Sequence, residues 1–518
     1  MDLKVSEYIE QNKLFLVVTS LLFFSFLYRI PFWFIDVIDW DESTFILLGK
    51  SILERNVPYI EYWDLKPPVA FLSVSAIMAL LGESILSMRV LGAFSVFLSS
   101  ILVYFIVRKF FNSSLSITSA LFCIPMMTIY WGGQTTFTEH IAIPFVLLAL
   151  YLCMKNKELS LRYAASIGFL ISLAAMIRLN LAYISVPIGI IVLLYSSRSN
   201  MLGRSITGGI YAFSGLLPLL IMVFFYAYIG ELDILYKSLV SAPFSYSAEQ
   251  FSVFKSLSTF ISKLIKTDGY LDFTFKSLIF ITAMIGGVIT LFDLHESKDH
   301  KRIKLLVFCL ALIFSVSASG GGYSHYLIQL SPAMVIFSAF LMNKLGTFRH
   351  VKELCLVLFV LLLAIDSKAV FTEYKSVYFR VINQQPINIG QGYWVKESID
   401  GLKLCDYSLY AMSHHIVYFL LDKKPPTPLV THPSNLTKEF LVGALYGEEA
   451  NPESELKKIM LVNPTVILKQ RELWYLRDYP MLDGMLDSYL GQYKIIGEKN
   501  NLQIYLHRNA LVNDNSCI

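Results

Sequence analysis

Apolar runs long enough to cross a bilayer recur from Leu14 to about Asp366, and this constrains the fold more than any other feature of the chain. In hydrocarbon every backbone N–H and C=O must be satisfied within the segment, so a continuous apolar run of about 20 residues crosses as a helix. With 55% hydrophobic and 16% charged residues in 518, the chain reads as a polytopic α-helical membrane protein. Its net charge of +4 gives no argument for nucleic acid as a partner. The run Leu14 to Phe34 is too long for a signal-peptide core and no small-residue cleavage site follows it, so it is read as a retained first span.

Lys4 and Lys13 precede that span and place its start in the cytoplasm, so the segment after it emerges on the opposite face. Pro68 to Leu81 has only 14 residues and is read as re-entrant or interfacial. That reading keeps Arg108 and Lys109, which close the run Ile85 to Val107, on the cytoplasmic side. Later runs near 115–131, 140–154, 163–178, 181–197, 206–229, 276–294, 304–318, 326–342 and 351–366 bring the count to eleven, with thirteen as the upper figure. An odd count leaves the C-terminus outside. The outer connections are then 132–139, 178–180, a long loop 231–275, and 320–325.

After Asp366 the composition changes. Short β-like runs such as Pro464 to Lys469 and Leu502 to Leu506 alternate with helix-like runs such as Asn435 to Leu445. The expected organisation is a membrane domain over 1–366, including a juxtamembrane loop at 36–82, followed by an extracytoplasmic α/β domain over 367–518. Cys123, Cys153, Cys309 and Cys355 sit in apolar runs and read as packing residues. Cys405 and Cys517 lie in the polar region, where the sequence allows one disulfide.

The polar island from Asp36 to Pro68 is where chemistry is expected. It carries Asp39, Asp41 and Glu42, then Asp64-Leu65-Lys66-Pro67-Pro68. Ionisable groups held against a membrane are expensive to desolvate, so a cluster of them marks a functional site. The plainer reading is a solvated loop in which Asp41 or Ser43 caps the run Phe45 to Leu53; it serves for one residue better than for the whole cluster. Lys66 could snorkel, but two prolines after it fix the backbone. Arg89 lies about one turn inside a span and must face the bundle. Arg178 reads equally as an interfacial anchor, and Glu139 with His140 as the cap of the helix beginning there. His325, on a Gly-rich turn, is a metal ligand, a phosphate contact or an interfacial residue; Glu139 and His325 are the candidates for a divalent cation, with no fixed ligand spacing.

Together these residues resemble the GT-C glycosyltransferases of the aminoarabinose-transferase and protein O-mannosyltransferase superfamily. The resemblance is carried by Asp41-Glu42 after the first span, Lys66-Pro67-Pro68, Gly82 and Arg89 opening the next span, Thr138-Glu139, Arg178, and the segment from His325-Tyr326 to Pro332. It covers Asp36 to about Ile365, and the outer α/β domain extends it to the whole chain. Val69 stands where many relatives carry Leu, and 231–275 matches no part of the pattern.

The resemblance implies a GT-C fold and inverting transfer of a sugar from a polyprenyl-phosphate donor to a hydroxyl of an envelope glycolipid, polysaccharide or protein. The reaction would take place at the outer face of the cell (inner) membrane. It implies Asp41 as base with Glu42 beside it, Lys66, Arg89 and Arg178 on the lipid phosphate, and Glu139, His140, Tyr323, His325 and Tyr326 elsewhere in the substrate site. The residue types suit that chemistry. A hydroxyl nucleophile needs a base, and a departing phosphate needs fixed cations. No cofactor beyond an optional divalent cation is implied. The alternatives are a transporter or flippase for lipid-linked sugars, or an oligosaccharide polymerase or ligase. Charges gathered at one face and the lack of an internal repeat favour the enzyme over the transporter.

Overall fold

The computed structural model describes residues 2–245, 252–267, 270–271, 273–318, 320–347, 349–404, 406–447 and 449–512. Five helices among them are long and apolar enough to cross a membrane: Ile85–Val107, Thr138–Lys155, Met201–Tyr228, Phe275–Ser297 and Ser324–Leu345. A sixth is reached if His350–Asp366 and Lys368–Ile382, bent by 45°, form one span. The other runs read as spans also fall on helices but are shorter or more polar; Leu161–Ala175, for example, stops before Arg178 and is followed by a 3-10 segment, Leu179–Ile184. Pro68–Leu81 is a 14-residue helix, too short to cross the hydrocarbon core.

Internal contacts group the chain into two units. The first comprises Met1–Phe32, Arg89–Phe225 and Gln250–Phe379 and is almost wholly helical. Arg29, fully buried at the end of the first helix, donates to the carbonyls of Gly133, Gln134 (2.9 Å) and Thr135 (3.2 Å), so one guanidinium fixes the turn that leads into Thr138–Lys155.

The second unit comprises Trp33–Met88, Tyr226–Glu249 and Arg380–Ile518. Its centre is a four-stranded mixed sheet. Leu409–Ala411 pairs in parallel with Val466–Gln470, which runs antiparallel to Leu502–His507, which in turn runs antiparallel to Tyr493–Lys499. Side chains alternate across a strand, so Val466 and Leu468 face one apolar cluster with Val395 and Ile504 while Ile467 faces the other with Leu456 and Leu486.

The juxtamembrane segment is built into this unit. Leu47, from helix Asp41–Leu53, belongs to the same cluster as Leu468 and Ile504. Trp63 is wholly buried; its amide donates to the Pro428 carbonyl (2.9 Å) and its carbonyl accepts from the Thr431 hydroxyl (3.2 Å), while Thr44 donates to the Thr431 carbonyl (2.9 Å). Asp36 takes part in a bridge: its amide donates to Ile389 O (2.9 Å), and its carboxylate accepts from the amides of Val37 (2.7 Å) and Gly392. Gly390 between them has φ +136°, and a Cβ there would lie 1.9 Å from Asp36 Oδ1. Only glycine meets both conditions.

Two expectations are corrected here. The segment 231–275 is not a plain loop: its described part holds the helices Leu232–Tyr236 and Val253–Ile265, the second turning Ser256, Phe260 and Leu264 inward at four-residue spacing. Residues 246–251, 268–269 and 272 of it lie outside the described residues, as do Cys405 and Cys517. Neither Asp41 nor Ser43 caps the helix at Asp41; the N-cap is Trp40, with no side-chain hydrogen bond, and Asp41 and Glu42 form the first helical turn. There their charge meets the positive end of the helix dipole.

Candidate active site

The polar island folds into a cluster of charge within the second unit. Asp41 Oδ2 lies 3.7 Å from Lys66 Nζ, and Asp64 Oδ1 lies 3.8 Å from the same ammonium. Lys66 is positioned rather than floating. Its amide donates to Asp64 Oδ1 (2.8 Å), its carbonyl accepts from the Tyr59 hydroxyl (2.6 Å), and Pro67, extended at φ −63° and ψ 150°, leads into Pro68 at the start of the next helix. The ammonium also sits 5.0 Å from the centre of the Phe45 ring, so its stem is packed while its charge faces the carboxylates.

His432, some 390 positions along the chain, presents Nε2 at 3.8 Å from Asp41 Oδ1. Its Nδ1 accepts from the Ser434 amide (3.3 Å), which leaves the proton of the neutral ring on Nε2, toward Asp41. Burial holds His432 well below the usual imidazole range against the pull of Asp41, so it is neutral at pH 7. Burial, then Asp41, push Asp39 up to about 6. Burial, then Lys66, lower Lys438. Glu42 is buried in the first turn.

The second group lies in the helical unit. Glu139, 1% exposed, places Oε1 at 3.1 Å from Arg178 Nη2 and 3.8 Å from His325 Nε2. Arg178 lies over the Tyr326 ring at 4.5 Å, and His325 is stacked between Phe137 (4.6 Å) and Tyr323 (5.7 Å). The sequence-derived residues Glu139, Arg178, Tyr323, His325 and Tyr326 therefore meet. Among the described residues no third His, Cys, Asp or Glu joins Glu139 and His325 to make a metal-binding group. His140 has both ring nitrogens engaged by backbone: Nδ1 accepts from the Phe137 amide (3.2 Å) and Nε2 donates to Met127 O (2.9 Å). It closes the helix start, as the capping reading has it. Arg89 is wholly buried in helix Ile85–Val107.

The fold matches solved structures across nearly its whole length. ArnT from Cupriavidus metallidurans, crystallised with undecaprenyl phosphate, superposes with a TM-score of 0.61 at 12% identity, over 95% of this chain and 98% of that one. The chain has the fold of the GT-C membrane glycosyltransferases. The oligosaccharyltransferase of Archaeoglobus fulgidus, in a complex with zinc and sulfate, shares this GT-C fold with a TM-score of 0.51 at 12% identity, over 95% of this chain and 73% of that one. Residues 65–229 also match the profile of the dolichyl-phosphate-mannose-protein mannosyltransferase family, a stretch that takes in Lys66, Arg89, Glu139 and Arg178. No curated protein matches by sequence comparison alone.

Several residues of these clusters escaped the sequence reading. His432 and Lys438 carry no local motif. Asn180, which donates to Gln329 Oε1 (3.1 Å) and the Ser315 hydroxyl (3.2 Å), sits in a turn that was legible only as a turn. Arg29 carried a usable signal, a lone arginine near the end of an apolar run, where burial with partners is the rule.

Proposed function

We propose that the protein is an inverting glycosyltransferase that moves a sugar from a polyprenyl-phosphate donor to an acceptor hydroxyl at the extracytoplasmic face of the cell membrane. The observation that carries this reading is the Asp41–Lys66 pair at 3.7 Å, a base and a cation side by side. The acceptor oxygen attacks the anomeric carbon as its proton passes to Asp41, the bond from that carbon to the phosphate oxygen breaks, and polyprenyl phosphate leaves with the electron pair. A single displacement inverts the anomeric centre. Lys66 meets the charge that grows on the phosphate. Undecaprenyl phosphate bound to a protein of the same fold supports the donor class. The Lys4 and Lys13 flank of the first span supports the face. An envelope glycolipid, polysaccharide or protein supplies the hydroxyl.

Lys66→Gln is expected to weaken binding of undecaprenyl phosphate to the detergent-solubilised protein by about ten- to a hundredfold, since a charge-assisted contact contributes roughly 1.5–3 kcal/mol. Radiolabelled lipid on immobilised protein measures it. Equal affinity in a folded Lys66→Gln protein would reject the assignment.

A further inference from the structure

Beside Asp41 the second unit holds a cavity of about 310 Å³ lined by Ile38, Asp39, Trp40, His432 and Trp474. Trp40 is the N-cap of the helix that Asp41 begins, and three rings surround it without stacking flat: Trp474 at 6.2 Å and 44°, His432 at 6.3 Å and 58°, and His414 at 6.3 Å and 50°. Trp474, brought in by the short 3-10 turn Trp474–Leu476, is 53% exposed. An aromatic cluster that served only to bind the juxtamembrane loop to the sheet would close on itself, as Trp63 does. This one stays open around a space and leaves half an indole uncovered.

The lining selects among ligands. Asp39 and the absence of any cation among the lining residues disfavour phosphate and other anions. A lone carboxylate in an otherwise aromatic and apolar lining is no cation site, since hard cations take several oxygen ligands. A lipid chain gains nothing from Asp39 and His432 at the wall and needs a longer groove. What remains is a neutral ring with one apolar face and a rim of hydroxyls. The indole faces cover its C–H side, and the Asp39 carboxylate and the His432 ring accept from or donate to its hydroxyls. The volume is at the small end for ligand pockets, room for one ring rather than an extended chain.

We infer that the Trp40–Trp474 cup is a pyranose-binding subsite. The inference rests on the glycosyltransferase reading above and deepens it. His432 belongs to both places, lining the cup and standing 3.8 Å from Asp41, and the Asp41 amide donates to Asp39 Oδ1 (3.1 Å), so a ring in the cup lies next to the base. The ring is either the sugar being transferred or the sugar of the acceptor that offers its hydroxyl.

The test is saturation-transfer NMR on the full chain in detergent with a panel of methyl hexopyranosides and methyl N-acetylhexosaminides. At least one glycoside is expected to receive saturation, concentrated on the C–H protons of one ring face. The signal should fall at least fivefold in Trp474→Ala and be largely kept in Trp474→Phe, while undecaprenyl phosphate binds all three proteins alike. Displacement of the glycoside by sugar-charged undecaprenyl phosphate, but not by the bare lipid phosphate, assigns the cup to the donor sugar; persistence assigns it to the acceptor. Equal transfer in Trp474→Ala, or none from any glycoside to a wild-type protein that binds undecaprenyl phosphate, overturns the subsite. Loss of undecaprenyl phosphate binding in the wild type would instead overturn the glycosyltransferase reading, whatever the glycosides do.

Discussion

Asp41→Asn is expected to lower sugar transfer by about a hundredfold or more while undecaprenyl phosphate still binds. Asparagine keeps the shape of the side chain and its hydrogen bonding but cannot take a proton, so the loss falls on turnover. The change also removes one of the two carboxylate charges facing Lys66, Asp41 at 3.7 Å, and keeps Asp64 at 3.8 Å, so lipid affinity should hold or rise. Asp39 and Glu42 are the neighbours to compare. Asp39 is held near pH 6 by burial and by Asp41, and it faces the cup; Glu42 is buried in the first turn of the helix. Turnover measured for Asp41→Asn, Asp39→Asn and Glu42→Gln under saturating donor decides among them. Near-native turnover in Asp41→Asn with an inactive Glu42→Gln would move the base by one position.

Glu139→Ala is expected to destabilise the protein by about 3–5 kcal/mol, because it leaves the Arg178 guanidinium, 12% exposed, without the carboxylate 3.1 Å away. Glu139→Gln should cost less, since an amide oxygen can still accept from the guanidinium. His325 loses the same partner, at 3.8 Å, and remains held by Phe137 and Tyr323. Denaturant or thermal unfolding in detergent reads both variants. An unchanged midpoint for Glu139→Ala would mean that the Glu139–Arg178 pair contributes nothing net to stability.

What the sequence could show followed from local pattern. The apolar runs marked helices, the strand reading at Pro464 to Lys469 was observed as Val466–Gln470, and Leu502 to Leu506 as Leu502–His507. Asp41, Lys66, Glu139 and Arg178 could be singled out because charge beside apolar sequence is costly and therefore conspicuous. Their partners could not. His432 and Trp474 sit in polar sequence where a histidine or a tryptophan raises no cost, and they reach Asp41 and Trp40 only through tertiary contacts such as Thr44 with Thr431 and Trp63 with Pro428. The same contacts explain why residues 33–88 fold with the C-terminal region although the membrane helices separate them in the chain. Helix lengths were overestimated where a turn such as that at Arg178 broke an apolar run that composition alone joins up.

The most direct test is the fate of the donor bond. Undecaprenyl-phosphoryl sugar, labelled in the phosphate, is incubated in liposomes with the full-length protein and a membrane extract as the source of acceptors, in parallel with Asp41→Asn. Free undecaprenyl phosphate should accumulate with the wild-type protein and stay at background with the variant, with the released sugar recovered on an acceptor in the opposite anomeric configuration. Donor that stays intact with both proteins, or that crosses the bilayer uncleaved and equally fast with both, would contradict a transferase that works through Asp41.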